Sequence, residues 1–148
     1  MNVTIRIETA ATVELAPLHA ARIAFSLDGY DPGDCFTPPV EDLDDPSMVF
    51  WVARIAGKPV GMAALKIAAG EVKAVYVSEA ARGRGVARGL MDAVEEKARE
   101  LGLTRLRLET GIHHEAAMAF YPRLGWKPIP RFDPYPENDT SRFFEKAL

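Results

Sequence analysis

The sequence predicts an α/β fold of the α+β kind, a mixed and mostly antiparallel sheet of about seven strands flanked by helices. Three apolar segments, residues 48–55, 59–67 and 71–77, follow one another with only short glycine-containing turns between them, which makes them antiparallel neighbours. A long amphipathic helix then separates residues 71–77 from a short strand at 105–109. Because that helix carries the chain back, the two strands it joins run parallel.

Length and composition set the limits of this fold. At 148 residues and 48% hydrophobic composition, residues 1–148 form one domain with a buried core and no room for a second. The net charge of −3 gives no field that attracts nucleic acid. The single cysteine, Cys35, rules out an internal disulfide and suits a reducing compartment. Residues 1–8 alternate like a strand and no apolar run reaches membrane-spanning length, so we expect a soluble, cytoplasmic protein with no membrane partner.

The other elements follow from the spacing of apolar residues. Alternation or helical periodicity predicts a strand at 3–8, helices at 17–29 and 115–124, and a final hairpin of strands 126–129 and 141–146. The long helix covers residues 86–101, where Glu95 and Arg99 are one turn apart and are predicted to pair on its outer face.

The segment 28–45, here called the acidic loop, has no such periodicity. Its carboxylates are interleaved with prolines and glycines, and it contains no basic residue. A long loop of this kind in a compact domain is often a lid or a wall of a binding site. Two interpretations stay open, a wall that binds the substrate and a solvated surface loop.

The most informative stretch is the turn between strand 71–77 and the long helix, residues 82–87, here called the phosphate turn. Its glycines let the backbone approach a ligand closely. The first turn of the following helix carries amide groups with no intrahelical partner, which form an anion site. Arg82, Arg84 and Arg88 add positive charge there. The predicted guest is a phosphate or a pyrophosphate.

Three classes of phosphate-binding turn compete for this assignment. A P-loop needs a lysine after its glycines, and none follows here. A dinucleotide-binding turn fits Gly83, Gly85 and Gly89, with Glu109 at the distance expected for a ribose-binding acid. However, its sheet would be parallel, and the roughly forty residues after Glu109 are too few for the further βα units it needs.

The third class is the acetyl-CoA turn of the GNAT family of N-acetyltransferases, whose signature is Gln/Arg-x-x-Gly-x-Gly/Ala. The chain resembles this signature position for position, with Arg82, Gly83, Arg84, Gly85, Val86 and Ala87. The segment Phe-Tyr-Pro-Arg-Leu-Gly-Trp at 120–126 resembles the second signature of the family, and the order of predicted elements resembles its fold. This resemblance implies acetyl-CoA as co-substrate and a central pair of parallel strands that splay apart.

The resemblance also assigns residues to the cofactor. The backbone from Gly83 to Ala87 would hold the pyrophosphate, and the pantetheine arm would lie along the end of strand 71–77. His114 falls where the family commonly has an asparagine that bonds this arm. The candidate cofactor-binding residues are therefore Val75, Tyr76, Val77, Arg82, Gly83, Arg84, Gly85, Val86, Ala87, Arg88, His114 and Tyr121.

Amine acetylation needs a base for the amine and an acid for the leaving thiolate. Tyr121 occupies the family's tyrosine position beside the coenzyme sulfur and is the predicted acid. Glu71 matches the position of the base in the histone-acetylating branch of the family. Glu109 is the alternative base, because it ends the neighbouring strand at the cleft. Water in place of either carboxylate also stays open.

The partner predicted by these roles is a small-molecule amine acceptor, or a peptide amine, and the acidic loop favours a cationic one. No metal is expected, because adjacent His113 and His114 point in different directions and no zinc pattern is present. Two other functions stay open, a non-catalytic CoA-binding regulatory module and a nicotinamide-dinucleotide-binding protein. Four aromatics predicted to be exposed would pair subunits in a homodimer, line the acceptor pocket or complete the core: Phe132, Tyr135, Phe143 and Phe144.

Overall fold

The computed structural model describes residues 2–148. Within these residues the strands are β1 (Val3–Ile7), β2 (Met48–Ile55), β3 (Lys58–Lys66), β4 (Glu71–Val77), β5 (Arg105–Gly111), β6 (Lys127–Ile129) and β7 (Ser141–Ala147). The helices are α1 (Ala16–Leu27), α2 (Val86–Glu100) and α3 (Glu115–Arg123), with short 3₁₀ turns at Pro32–Asp34, Val40–Asp44 and Glu79–Ala81. The predicted elements are confirmed to within a few residues at their ends, and Met1 of the predicted first segment lies outside the described residues.

All strands join one sheet in the order β1-β2-β3-β4-β5-β7-β6. Neighbouring strands are antiparallel except β4 and β5, which are parallel. The predicted mixed sheet with its central parallel pair is therefore confirmed, and the antiparallel run β2-β3-β4 is not that of a dinucleotide-binding fold. The β2–β3 turn has both central residues at positive φ, Ala56 at 51° and Gly57 at 78°, which matches the twist of a two-residue hairpin.

Strand β4 contains a bulge that its sequence does not predict. Ala74 has a φ of 56°, and the pairing of β3 with β4 shifts register opposite it, between Met62 and Ala64. A bulge inserts one extra residue and exchanges the faces of the residues that follow. Val72, Val75 and Val77 accordingly pack on the α2 side of the sheet, whereas Ala74 and Tyr76 pack on the α1 side.

Helix α2 buries an apolar stripe against one face of the sheet, formed by Val86, Leu90, Met91, Val94 and Ala98. This spacing of three and four residues is that of an amphipathic helix. The prediction that Glu95 lies on the outer face is wrong, because Glu95 is buried and its Oε1 lies 2.9 Å from Nζ of Lys146 on β7. Arg99 does pair with it, at 3.6 Å.

The opposite face of the sheet is covered by α1 and the 3₁₀ turn Val40–Asp44, with Leu15, Leu18 and Leu43 packed on Phe50 and Met62. The prediction of four exposed aromatics in the last hairpin region is wrong for three of them: Tyr135, Phe143 and Phe144 are buried. Phe144 belongs to the core on the α2 side. No helix among residues 2–148 is long and apolar enough to cross a membrane.

Candidate active site

The phosphate turn presents its backbone to solvent. Gly83 and Gly85 have φ values of 77° and 78°, a region that side chains strongly disfavour. A Cβ at either position would meet no atom within 4 Å, so the space beside them is open. Gly85 is the N-cap of α2 and provides no side-chain cap, so among residues 2–148 the amides of Val86 and Ala87 donate no hydrogen bond to protein. These features fit a pyrophosphate held by backbone amides.

Arg82 is held back against the end of β4. Its Nε donates to the carbonyl oxygen of Val77 at 3.0 Å. Its guanidinium carbon lies 4.9 Å from the centre of the Phe25 ring and 5.6 Å from that of Tyr76. The side chain thus braces the turn on the strand that precedes it. The other two arginines of this region are exposed, Arg84 and Arg88.

The parallel strands β4 and β5 separate soon after they meet. Their register contains one pair, Glu71 with Arg107, and one further bond joins the Arg107 amide to the carbonyl of Gly70. Beyond this point the edges of the two strands face a gap. The expected splay is therefore present, and Val75 and Val77 lie along it in the part of β4 that has left β5.

An aromatic cluster lies at the open end of the gap, just after the C-terminus of β5. His114, the N-cap of α3, stacks on Phe25 of α1 with ring centres 4.8 Å apart, and its ring lies 4.9 Å from that of Tyr30. The Tyr30 hydroxyl accepts the His113 amide at 2.8 Å and occupies the space that a Cβ on Gly111 would fill. Burial lowers the pKa of the His114 imidazole, which keeps it neutral. A contact between His114 and the pantetheine arm stays a prediction.

Tyr121 lies on α3, on the α2 side of the sheet. Its side chain is 6% exposed and contacts the rings of Trp126 and Phe144. Its hydroxyl has no hydrogen-bond partner among residues 2–148. Burial raises the pKa of this phenol, so the group holds its proton at neutral pH.

Glu71 lies on the opposite face, where three elements converge. It is only 5% exposed. The hydroxyl of Tyr135, from the loop between β6 and β7, donates to Glu71 Oε2. Lys73 Nζ lies 3.6 Å from the same oxygen and donates to the Tyr135 hydroxyl at 2.8 Å and to the carbonyl of Phe36 at 3.3 Å. The Lys73 ammonium therefore links β4 to the acidic loop and to the β6–β7 loop.

Glu109 on β5 is a second carboxylate of this region and is partly buried. Ser141 donates its hydroxyl to Glu109 Oε2 at 2.6 Å. Burial raises the pKa of Glu109, and the charge of Glu71 raises it further, while the bond from Ser141 and the charge of Lys73 oppose the shift. A carboxylate with a raised pKa is a better proton acceptor near neutral pH than an exposed one.

A cavity of about 470 Å³ opens beside Glu71 and Lys73, here called the acceptor cavity. Proline and aromatic side chains from the acidic loop and from the β6–β7 loop form its two walls: Phe36, Pro38, Pro39, Pro134, Tyr135 and Pro136. Its outer edge carries charges of both signs, from Asp42, Asp45 and Lys66. The cavity has the size and lining of a small-molecule site.

Arg22 of α1 lies behind one wall of this cavity. It is 1% exposed. Its Nη1 donates to Thr37 Oγ1 at 2.6 Å and to the carbonyl of Pro38 at 2.9 Å, and its Nη2 lies 3.3 Å from His19 Nδ1. Within residues 2–148 no carboxylate pairs with it and its Nε is without a partner. An uncompensated buried cation thus holds the segment that lines the cavity.

The carboxylates of the acidic loop divide into separate roles. Asp44 accepts the amides of Ala10 and Ala11 at 2.6 and 2.8 Å, and Asp45 accepts the amide of Ser47 at 2.9 Å. Only part of the loop's negative charge therefore faces the cavity. No group of three or more metal-ligating side chains occurs among the described residues.

Two residues of the site are absent from the sequence-based prediction, Lys73 and Arg22, and Tyr135 enters it only as one of four aromatics for which the acceptor pocket is one of three options. Lys73 was hidden by its place in an apolar strand, and Tyr135 was assigned to an exposed group. Arg22 lies on the predicted helix 17–29, where no motif or spacing in the sequence singles it out. Each becomes visible only through contacts between segments that are distant in sequence.

Comparison with known proteins agrees with this geometry. The acetyltransferase (GNAT) family profile matches residues 19–126. A protein of Azospirillum brasilense named IAA acetyltransferase is 37% identical over 113 residues, 74% of each chain. An uncharacterized N-acetyltransferase of Bacillus subtilis is 32% identical over 114 residues, 74% of this chain and 76% of its own.

Solved structures show the same fold. A Klebsiella pneumoniae protein, provisionally described as an acyl-CoA N-acyltransferase, is 33% identical with a TM-score of 0.80, over 99% of this chain and 97% of its own. A GNAT family acetyltransferase from Elizabethkingia anophelis with acetyl-CoA bound is 19% identical, with a TM-score of 0.71 over 99% of each chain, and shows the fold alone. The chain therefore belongs to the GNAT family and is an acyl-CoA-dependent N-acetyltransferase.

Proposed function

We propose that the protein transfers an acetyl group from acetyl-CoA to a primary amine of a small molecule or peptide, by direct attack within a ternary complex. One observation carries this proposal: the gap between β4 and β5 has the phosphate turn at one end and the acceptor cavity beside its closed end. A donor and an acceptor entering from these two sides would meet in the gap. The reaction is thereby made effectively intramolecular, which is a major source of rate acceleration.

Acetyl-CoA would be held by the backbone of this chain. The amides of Val86 and Ala87 would donate to the pyrophosphate beside the open glycines of the turn, and the edge of β4 at Val75 would pair with the pantetheine arm as an added strand does. The Val77 carbonyl is bound by Arg82, which leaves only its amide for such pairing. When bound, the thioester supplies the acetyl group and a thiolate leaving group.

Tyr121 is the proposed acid that protonates the leaving thiolate. Its hydroxyl has no competing partner among the described residues, and its raised pKa keeps the proton in place until a strong base forms beside it. The rings of Trp126 and Phe144 pack against the Tyr121 ring and fix its position on α3.

The base is one of two carboxylates, Glu71 or Glu109, and both lie on the acceptor side of the sheet. The burial that raises the pKa of Glu109 makes it a better proton acceptor near neutral pH than an exposed glutamate. Glu71 lines the acceptor cavity but has Tyr135 and Lys73 in front of its carboxylate. Replacement of each by glutamine, followed by single-turnover kinetics, assigns the role, because only loss of the base slows the chemical step.

The acceptor proposed from the acidic loop is a cationic amine. Asp42 and Asp45 at the cavity edge support a second positive charge on the acceptor, whereas Lys66 beside them opposes it. A panel of spermidine, lysine, phenethylamine and glutamate tests this by release of free CoA. Turnover of phenethylamine or glutamate as fast as that of spermidine and lysine would contradict the cationic preference and leave the transferase activity intact.

The function itself is tested by the same CoA-release assay together with thermal shift. Acetyl-CoA should raise the melting temperature and NAD should not, because a ligand that binds only the folded state stabilises it. At least one amine should then release CoA. A protein that binds acetyl-CoA and acetylates no amine would instead be a non-catalytic CoA-binding module, and stabilisation by NAD would support a dinucleotide-binding protein.

A further inference from the structure

The Tyr135 hydroxyl lies against the carboxylate of Glu71, and both residues line the acceptor cavity. It donates its proton to Glu71 Oε2 and accepts one from Lys73 Nζ at 2.8 Å. A phenol has one proton to donate and two lone pairs to accept with. Tyr135 also lines the acceptor cavity. One lone pair of its oxygen therefore remains for a donor on a molecule in the cavity.

Glu71 has little direct access to such a molecule. Its side chain is only 5% exposed, and Oε2 is covered by the Tyr135 hydroxyl with the Lys73 ammonium 3.6 Å away. A general base must lie within hydrogen-bond reach of the proton it takes, directly or through one bridging group. In this site the Tyr135 hydroxyl is placed to bridge the acceptor amine and Glu71.

We propose that Tyr135 is a catalytic residue, a proton relay that takes the proton of the acceptor amine and passes its own proton to Glu71. This inference rests on the proposed acetyl transfer and specifies how Glu71 takes part in it. It also gives Lys73 a role as a positioning residue. Lys73 fixes the phenol oxygen with one bond at 2.8 Å and lies 3.6 Å from the carboxylate oxygen that receives the proton.

The atoms and charges of the step balance. The amine nitrogen forms a bond to the acetyl carbon and the carbon–sulfur bond breaks. The amine proton moves to Tyr135 Oη as the Tyr135 proton moves to Glu71 Oε2, and the thiolate takes the proton of Tyr121. The products are the amide and free CoA. Glu71 then loses its proton to solvent and Tyr121 regains one, which restores the starting state.

Packing holds the phenol in the relay position. Its ring centre lies 5.3 Å from those of Phe36 and Phe132 and 5.4 Å from that of Phe143. Burial, reinforced by the carboxylate of Glu71, raises the pKa of Tyr135. The hydroxyl therefore does not ionise to a free phenolate, and it releases its proton only as it receives another.

The test compares Tyr135→Phe, Glu71→Gln and the double variant in single turnover, with saturating acetyl-CoA and the fastest amine of the panel. The relay predicts a loss of about 100-fold in each single variant. The double variant should be no slower than Glu71→Gln, because both changes interrupt one path. Acetyl-CoA affinity should not change, since phenylalanine keeps the ring contacts of Tyr135. Thermal unfolding should stay cooperative, with a melting temperature lowered by the loss of the bonds to Glu71 and Lys73. Glu145→Gln, which changes a half-buried carboxylate on β7 that pairs with Arg105, is the matched control.

A second readout separates catalysis from positioning. The proposed step moves three protons, two through the relay and one from Tyr121. The wild-type rate should therefore show a curved dependence on the deuterium content of the solvent, and Tyr135→Phe should reduce that curvature. The acidic limb of the pH–rate profile should vanish in Glu71→Gln. The charged and titratable groups beside Glu71 are Tyr135, Lys73, Glu109 and the neighbouring-strand residues Lys66 and Arg107. Glu109→Gln must leave that limb in place.

Three outcomes would overturn the relay. Tyr135→Phe could keep a rate within about threefold of wild type, the losses of the two single variants could multiply in the double variant, or the solvent isotope dependence could already be linear in the wild type. With turnover intact in Tyr135→Phe, the relay alone fails. With no amine acetylated by the wild type, the proposed function fails and the relay with it.

Discussion

Replacement of Arg22 by methionine should separate stability from acceptor binding. Burial lowers the pKa of Arg22 to about 10, and at about 1.4 kcal/mol for each pKa unit the folded protein holds this charge at a cost of about 3 kcal/mol. Its bonds to Thr37 and Pro38 offset that cost, at about 1.5–3 kcal/mol for each bond from a charged donor. Methionine removes both the cost of burying the charge and the two hydrogen bonds that offset it. The free energy of unfolding should therefore change by less than about 2 kcal/mol.

The acceptor cavity should respond much more strongly. Without Arg22, the wall at Thr37 and Pro38 loses its anchor to α1 and must be ordered by the acceptor itself. An ordering cost of about 1.5–3 kcal/mol corresponds to a rise of roughly 10- to 100-fold in the acceptor KM. The affinity for acetyl-CoA should stay constant, because the phosphate turn lies on another element.

The assay is initial-rate kinetics with each substrate varied in turn, together with thermal unfolding. Thr37→Val removes one of the two wall bonds and should give a smaller rise in acceptor KM. Arg105→Met removes an exposed arginine on β5 and should change neither substrate constant. An unchanged acceptor KM in Arg22→Met, or a parallel rise for acetyl-CoA, would refute the anchoring role.

Three further predictions follow from the site. Tyr121→Phe should slow single-turnover acetyl transfer by about 10²- to 10⁴-fold and leave acetyl-CoA titration and melting temperature unchanged, and an unaltered rate would remove Tyr121 as the acid. Gly111→Ala should lower the free energy of unfolding by about 1–3 kcal/mol, because its Cβ would overlap the Tyr30 hydroxyl, and the loss should shrink when Tyr30 is alanine. Glu109→Gln should raise the melting temperature near pH 8. The pKa of Glu109 is raised by folding, so its ionisation destabilises the folded state at high pH and this penalty is lost as the pH falls below the ordinary glutamate value. A gain that persists at pH 3 would contradict this assignment.

The elements of the fold were predictable because their signals are local. The apolar spacing of α2 and the glycines of the phosphate turn are properties of a few adjacent residues, and the structure follows them. The same holds for the hairpin at Ala56 and Gly57 and for the parallel direction of β5, which its connecting helix determines.

The acceptor half of the site was not predictable in this way. Tyr135 and Glu71 are 64 positions apart, and Lys73 and Phe36 are 37 apart, so no spacing in the sequence records their contact. Glu95 was misplaced for a related reason, because its partner Lys146 lies on a strand 51 positions later (146 minus 95). Helical periodicity reports which face is apolar, and it does not report a buried ion pair on that face.

The bulge at Ala74 connects these two halves of the molecule. In a regular strand Val75 and Val77 would share a face with Glu71 and Lys73, since side chains alternate with a period of two. The extra residue turns both valines to the α2 core and leaves the charged pair on the acceptor side with Tyr76. An alanine at a φ of 56° costs roughly 1 kcal/mol. The packing that the bulge permits offsets this cost. Val75 and Val77 at the end of β4 pack against α2, and Glu71 and Lys73 at its start line the acceptor cavity.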